Sequence, residues 1–358
     1  MARNKKKQNF IIIGSLAVVI AAGIGIGAYY GRTSDSIQGA AGLNNLKDAN
    51  YNAADSGKKV ITLKTDTKLN CSTTPWVIAE KKGFFAAEGL EIKYTGELKT
   101  EQKLPAILNG TNDIGATLPN TLATYVAGGA NVKAVTLGEV DPPDSVDPKF
   151  RHMRYVTSEK FAGKTLKEYV ESKKGGKITV SGTAPNCSTF IFNEVFRNAG
   201  LDPSQIQYVA FESDTAAIQA VQQGSLDVAG IHPPFYKLAN DSKLTVLADS
   251  HDTGLGAASG ASVYYFTDKF IQENPEAVQR FVNAIKKAQD WVNHNTDESI
   301  KLTAEYIGQP VNATHYYFTD KGLPTELFQP WIDDLVQSGT IKKDQVKTDD
   351  IVTTQFSS

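Results

Sequence analysis

The chain has 358 residues, 41% hydrophobic and 21% charged, with 37 Lys plus Arg against 39 Asp plus Glu. A formal net charge of −2 gives no reason to expect nucleic acid or a large charged partner, and no low-complexity tract is long enough for a disordered protein. The length allows two globular lobes plus further segments.

The first ten residues, "MARNKKKQNF", carry Arg3, Lys5, Lys6 and Lys7, and residues 10–30 are uncharged. As a helix that run would reach about 31 Å, roughly the thickness of a bilayer core. Basic residues ahead of it place the start in the cytoplasm and the bulk outside. A cleaved signal peptide is the competing reading, with a small-residue site near residues 27–28. The long apolar run and poor cleavage site favour a retained anchor, and no cysteine precedes Cys71 to make a lipoprotein. The expectation is a transmembrane anchor or signal peptide over 1–30 and a polar, small-residue tether over 31–59. The protein is then extracytoplasmic and anchored to the cell membrane, or secreted if the segment is removed.

From residue 60, strand-like and helix-like runs alternate. "VITLKT" reads as a strand and "PWVIAEKKGFFAAEG" as a helix with Pro75 at its first position. "LEIKYTG", "NDIGATL" and "NVKAVTLGE" read as strands, separated by the helices "TEQKLPAILNG" and "PNTLATYVAGG". After the loop "VDPPDSVDPKF" the pattern restarts with strand "MRYVTS", helix "TLKEYVESK", strand "GKITVSG" and helix "TFIFNEVFRNAG". "IQYVAFE", "TAAIQAVQQGS", "LDVAGI" and "LTVLADS" complete a second set. In the tail, Val278, Phe281, Ile285, Ala288 and Val292 recur at steps of three and four, which predicts an amphipathic helix. Such alternation predicts an α/β protein with helices covering mostly parallel sheets.

"NCST" occurs twice, from Asn70 and from Asn186, and holds the chain's only two cysteines, Cys71 and Cys187. Each copy follows the first strand of its set and opens a helix. Two similar lobes are the simplest account.

The phrases "PWVIAEKKGFFAAEGLEIKY", "LPAILNGTNDIGATLPNTLATYVAGG", "GGKITVSGT", "AAIQAVQQGSLDVAGIHPPF" and "NPEAVQRFVNAIKKAQDWVN" resemble the solute-binding proteins of ABC importers for nitrate, sulfonates and taurine. The related pyrimidine-precursor binders share the pattern, and the likeness covers roughly residues 60 to 310. The resemblance implies a two-lobe, periplasmic-binding-protein-like (type II) fold with a ligand cleft between the lobes. It divides the chain into lobe one (60–155), lobe two (156–262) and a return crossing with C-terminal helices (263–358) packed mainly on lobe one. The implied crossings fall near Arg154–Ser158 and 261–267. Its partners would be a small-molecule solute, an ABC permease with its ATPase subunit, and the membrane through the N-terminal helix.

In open α/β layers ligands bind beyond the carboxyl ends of strands, where helix N-termini offer free N–H groups to an anion. Ser72 and Thr73 in the first NCST, and Ser188 and Thr189 in the second, stand at such termini, with Asn70, Cys71, Asn186 and Cys187 beside them. Ordinary helix capping explains part of this usage, at about 1 kcal/mol each. The cysteines depart from the family pattern. They read either as small buried hydrophobes or as soft ligands for a metal ion or thiol compound; His232 in "AGIHPPF" reads as a third donor or as a polar substitute in the cleft wall, where family members often carry an aromatic residue. No CxxC, HxH or HExxH spacing accompanies them. A Cys71–Cys187 disulfide would staple the lobes together and defeat opening. Asn120, Glu139, Glu212 and His251 end strands or open helices where a cleft would lie; a carboxylate there suits the amine of a zwitterion. Trp76 reads as cleft wall or core.

Related pyrimidine-precursor synthases, with a cysteine-rich iron site, make an enzyme the alternative. This chain lacks clustered cysteines, a GxSxG elbow, a P-loop and a GxGxxG turn. The expectation is a binder, not an enzyme, with no catalytic residue, cofactor or dedicated metal. The solute is a small anion or zwitterion of the sulfonate, taurine, nitrate or carboxylate class.

Overall fold

The computed structural model describes residues 51–67, 71–183, 185–308 and 310–357, with Cys71 through its backbone alone. The apolar run and most of the tether lie outside the described residues, as does Asn70. Among the described residues no helix is long and apolar enough to cross a membrane.

Strand β1 (Ile61–Thr67) leads through a 3-10 turn at Cys71–Thr73 into helix α1 (Thr74–Lys81). Helix α2 (Phe84–Ala87), β2 (Leu90–Glu97), α3 (Thr100–Leu108), β3 (Gly115–Thr117), α4 (Pro119–Ala127) and β4 (Val132–Leu137) follow. After the short β5 (Glu139–Val140) come β6 (Arg154–Ser158), α5 (Leu166–Ser172), β7 (Ile178–Ser181) and α6 (Cys187–Asn198). The chain continues as β8 (Ile206–Val209), α7 (Asp214–Gln222), β9 (Ala229–Ile231), α8 (Tyr236–Asp241) and β10 (Leu244–Asp249). It ends with β11 (Val263–Thr267), α9 (Asp268–Glu273), α10 (Pro275–His294), α11 (Thr296–Ile307), β12 (Tyr316–Tyr317), α12 (Gln329–Gln337) and α13 (Thr348–Ile351).

The strands form two layers with one plan. In the first, β2 pairs with β1 in parallel, a bridge at Thr65 and Ile114 joins β1 to the β3 segment, and β11 lies antiparallel between β3 and β4. In the second, β8 pairs with β7 in parallel, a bridge at Val180 and Val228 leads to β9, and β6 lies antiparallel between β9 and β10. The two NCST copies therefore follow equivalent strands, β1 and β7. Two aspartates hold equivalent places just before β3 and β9: Asp113 Oδ2 accepts from Lys64 N on β1 at 2.8 Å, and Asp227 Oδ2 accepts from Thr179 N on β7 at 2.9 Å. Each carboxylate satisfies a strand amide where the ladder is incomplete.

Arg154–Ser158 and Val263–Thr267 are themselves sheet strands, β6 and β11. The stretches before them, 138–153 and 250–262, link the layers and run side by side. Gly138 N donates to Ser262 O at 2.8 Å, Ser262 N to Glu139 O at 3.0 Å, and Ser250 N to Met153 O at 3.0 Å.

The expected single helix after β1 is broken at Gly83, whose φ of +71° suits glycine, and a Cβ there would lie 2.3 Å from the Tyr51 ring. On α10 all five periodic apolar residues are fully buried. They meet a cluster in which Trp76 packs on Phe281 at 5.5 Å and on Phe85 at 5.7 Å, so Trp76 belongs to the core. The same helix carries a polar row, Lys286, Gln289 and Asn293. Lys286 Nζ donates to Leu137 O at 2.9 Å and Phe318 O at 2.6 Å, and Gln289 Nε2 donates to Leu137 O at 3.1 Å. Asn293 exchanges two bonds with Tyr317, at 2.8 and 3.1 Å. That row fixes the segment 316–318 and, with it, the adjoining His315.

Candidate functional site

Helix α6 begins where its cap dictates. Asn186 is extended (φ −153°), and its Oδ1 accepts from Ser188 N at 2.9 Å and from Ser188 Oγ at 3.3 Å. Thr189 Oγ1 donates back to Asn186 O at 3.0 Å. Capping thus occupies most of the polar groups of the second NCST. Cys187 is the remainder. It is buried, 3.1 Å from Asn186 Oδ1 through its thiol and 3.5 Å from His232 Nε2.

His232 follows β9 and precedes two prolines. Its backbone N–H and its ring Nδ1 both lie 2.8 Å from Asp214 Oδ2, at the start of α7. A carboxylate accepts only, so Nδ1 carries a proton, and Nε2 is the ring nitrogen that faces Cys187. A third group completes the arrangement. His152 lies on the linking stretch 138–153, 3% exposed, its backbone N–H donating to Asp141 Oδ1 at 2.9 Å. One ligand atom each from His152, Cys187 and His232 lie within 4.8 Å of one another. His315 stacks on His152 with centroids 4.6 Å apart, and His232 stands edge-on to both, at 6.1 and 5.9 Å.

Burial, with the neighbouring His232, pushes the His152 ring down to about 3. Burial and the two other histidines hold His315 well below the ordinary range. Both rings are therefore neutral near pH 7 and offer lone pairs rather than charge. Neither ring nitrogen of His152 has a hydrogen-bond partner, nor has His315 Nδ1.

Beside this cluster a cavity of about 140 Å³ opens at the carboxyl ends of β7 and β9. Asn186, Ser188, Glu212, Ser213, Asp214 and His232 contribute its polar lining. A larger cavity of about 630 Å³, lined by Asp141, Asp144, His251 and Asp320 among others, includes none of the His152–Cys187–His232 cluster.

Among the residues expected at a site, Cys187 and His232 meet, with Asn186 and Ser188 at the same cavity. Thr189 is buried. Asn120 is buried at the start of α4, its Oδ1 accepting from Thr121 N at 2.7 Å. Glu139 is buried on the linking stretch against the Ser262 hydroxyl. In the first NCST, Ser72 is half-buried and Thr73 buried. Sequence reasoning missed His152, Asp214 and His315. Scarcity was the available signal: the chain has five histidines, and three of them gather here. The other two, His251 and His294, are exposed.

The family profile described as NMT1/THI5 like matches residues 70–299, well over half of the chain. The chain belongs to the NMT1/THI5-like family. A yeast (Saccharomyces cerevisiae) member, 4-amino-5-hydroxymethyl-2-methylpyrimidine phosphate synthase THI13, is 26% identical over 258 residues, 67% of this chain and 69% of its own. In solved structures, the periplasmic aliphatic sulphonate binding protein SsuA from Escherichia coli is similar with a TM-score of 0.65 at 20% identity, covering 82% of this chain and 92% of its own. The periplasmic nitrate-binding protein NrtA from Synechocystis PCC 6803 gives 0.60 at 14% identity, covering 83% and 87%. This NMT1/THI5-like chain therefore has the periplasmic-binding-protein-like α/β fold. Its cluster is not cysteine-rich: among the described side chains, Cys187 is its one thiol.

Proposed function

We propose that the protein is the extracytoplasmic solute-binding component of an ABC importer and captures a small anionic or zwitterionic solute by closing two lobes on it. The layer containing β1 and the layer containing β7 act as the lobes, and the stretches 138–153 and 250–262 act as the hinge. The observation that carries this reading is the cavity at the carboxyl ends of β7 and β9, walled by the N-termini of α6 and α7. Helix N-termini favour an anionic group. Glu212, exposed on the same wall, suits an ammonium group, which turns the preference toward a zwitterion. Ser188 is the expected hydroxyl contact from lobe two and Ser72 its counterpart from lobe one. The similarity to sulphonate- and nitrate-binding proteins supports the class of solute; the yeast synthase is the reason to test for turnover as well.

A thermal-shift series tests the reading. Purified protein is heated with taurine, alkanesulfonates, nitrate and amino acids. A saturating solute raises the melting temperature by mass action. Glu212→Gln should abolish the preference for zwitterions over plain anions and leave the unliganded melting temperature in place. Consumption of a bound compound by the protein alone would overturn the binder reading.

A further inference from the structure

We propose that His152, Cys187 and His232 form a binding site for a zinc-class divalent cation, with one coordination position left open beside the 140 Å³ cavity. This site does not depend on the importer reading.

Three separate parts of the fold deliver the donors: the linking stretch before β6, the start of α6 and the end of β9. A tetrahedral ion with metal–sulfur near 2.3 Å and metal–nitrogen near 2.05 Å separates its sulfur and nitrogen ligands by about 3.6 Å. Cys187 Sγ and His232 Nε2 are 3.5 Å apart. Asp214 supplies what a metal-bound histidine needs behind it, a carboxylate on the other ring nitrogen that fixes tautomer and orientation.

His152 decides between this site and a simpler one. Asp214, His232 and Cys187 alone would form a carboxylate–imidazole–thiol relay. Such a relay has no use for a further imidazole whose two nitrogens are both buried and unpartnered. Leaving such a group unpaired is unfavourable, and coordination removes that cost. Gly260 shows that the ring is held in place: a Cβ there would lie 2.8 Å from His152 Cβ and Cγ. The His315 ring stacks on it as well, with centroids 4.6 Å apart. One thiolate and two neutral imidazoles leave a divalent cation with a net charge of about +1, which attracts an anionic donor to the open position. A mixed nitrogen–sulfur set selects zinc-class ions over magnesium or calcium.

The test uses protein freed of metal by chelator dialysis and titrated with Co²⁺ as the optical probe, followed by Zn²⁺. Expected are a near-ultraviolet thiolate-to-cobalt charge-transfer band, strong visible bands of four-coordinate cobalt, saturation at one equivalent, and displacement by Zn²⁺. Cys187→Ser should remove the charge-transfer band, whereas Cys71→Ser and His251→Ala keep it. His152→Ala and Asp214→Asn should each weaken binding by about tenfold or more. Far-ultraviolet circular dichroism confirms that each variant is folded. Should His152→Ala not fold, His152→Gln takes its place in the titration. No band in the parent protein, or a band that survives Cys187→Ser, overturns the site. Solute binding is followed separately by thermal shift, so loss of one with retention of the other separates this site from the importer reading.

Discussion

Gly260 and His152 show how a single missing methyl group positions a side chain. The backbone of one linking stretch passes so close to the other that a Cβ at Gly260 would lie 2.6 Å from Asp141 N as well as against the His152 ring. Gly260→Ala should therefore cost about 1–3 kcal/mol through overpacking. Urea unfolding reads the cost, and an unchanged midpoint would refute the close packing. The paired aspartates give a second test. Burial pulls the Asp227 carboxyl upward, but the Lys173 ammonium and the Thr179 amide and hydroxyl outweigh it and hold it below the usual range. Asp113 has the matching amide from Lys64 but a looser lysine, Lys64 Nζ at 3.6 Å, and burial carries its carboxyl upward. A carboxyl depressed in the folded state stabilises above its unfolded value near 3.8, and that stability is lost as pH falls through the folded value. Asp227→Asn should thus cost about 1.5–3 kcal/mol at neutral pH and remove part of the acid sensitivity. An acid unfolding profile identical to the parent would contradict it.

At the scale of the element, α10 carries two messages on one helix. Its apolar stripe could be read directly, because core burial demands the 3.6-residue period. Ile285→Ala should cost about 2–5 kcal/mol, as for other fully buried aliphatic truncations, measured by denaturant titration. The polar row on the same helix could not be read that way. Lys286 looks like a surface lysine in the sequence, yet it is buried and spends its donors on two backbone carbonyls. Burial drives its ammonium well below the ordinary lysine range. Asn293→Ala leaves Tyr317 N and O without their side-chain partners, so it should lower stability by about 1–3 kcal/mol. It should also disturb His315, which adjoins that segment. Side-chain NMR of the histidines checks this: the His315 signals should shift while those of exposed His251 stay in place.

For the whole molecule, two layers of one plan are joined by two adjacent stretches, and the proposed lobe closure would bend there. A solute that touches both layers only when they are closed shifts the population toward the closed form. Small-angle scattering should then show a smaller radius of gyration with saturating solute than without it. An unchanged radius alongside proven binding would exclude closure.

The sequence by itself determined the alternation of strands and helices, the duplicated strand–NCST–helix unit and the apolar face of α10. Each depends on neighbours along the chain, through period, capping and turn chemistry. It also exposed Cys187 and His232 as unusual residues. Only the tertiary structure decided that His152, 80 positions before His232, shares a point with it, and that Asp214 orients the ring. Those contacts are made by strand order and by two linking stretches that lie side by side. No local pattern of residues encodes which distant side chains the sheets will bring face to face.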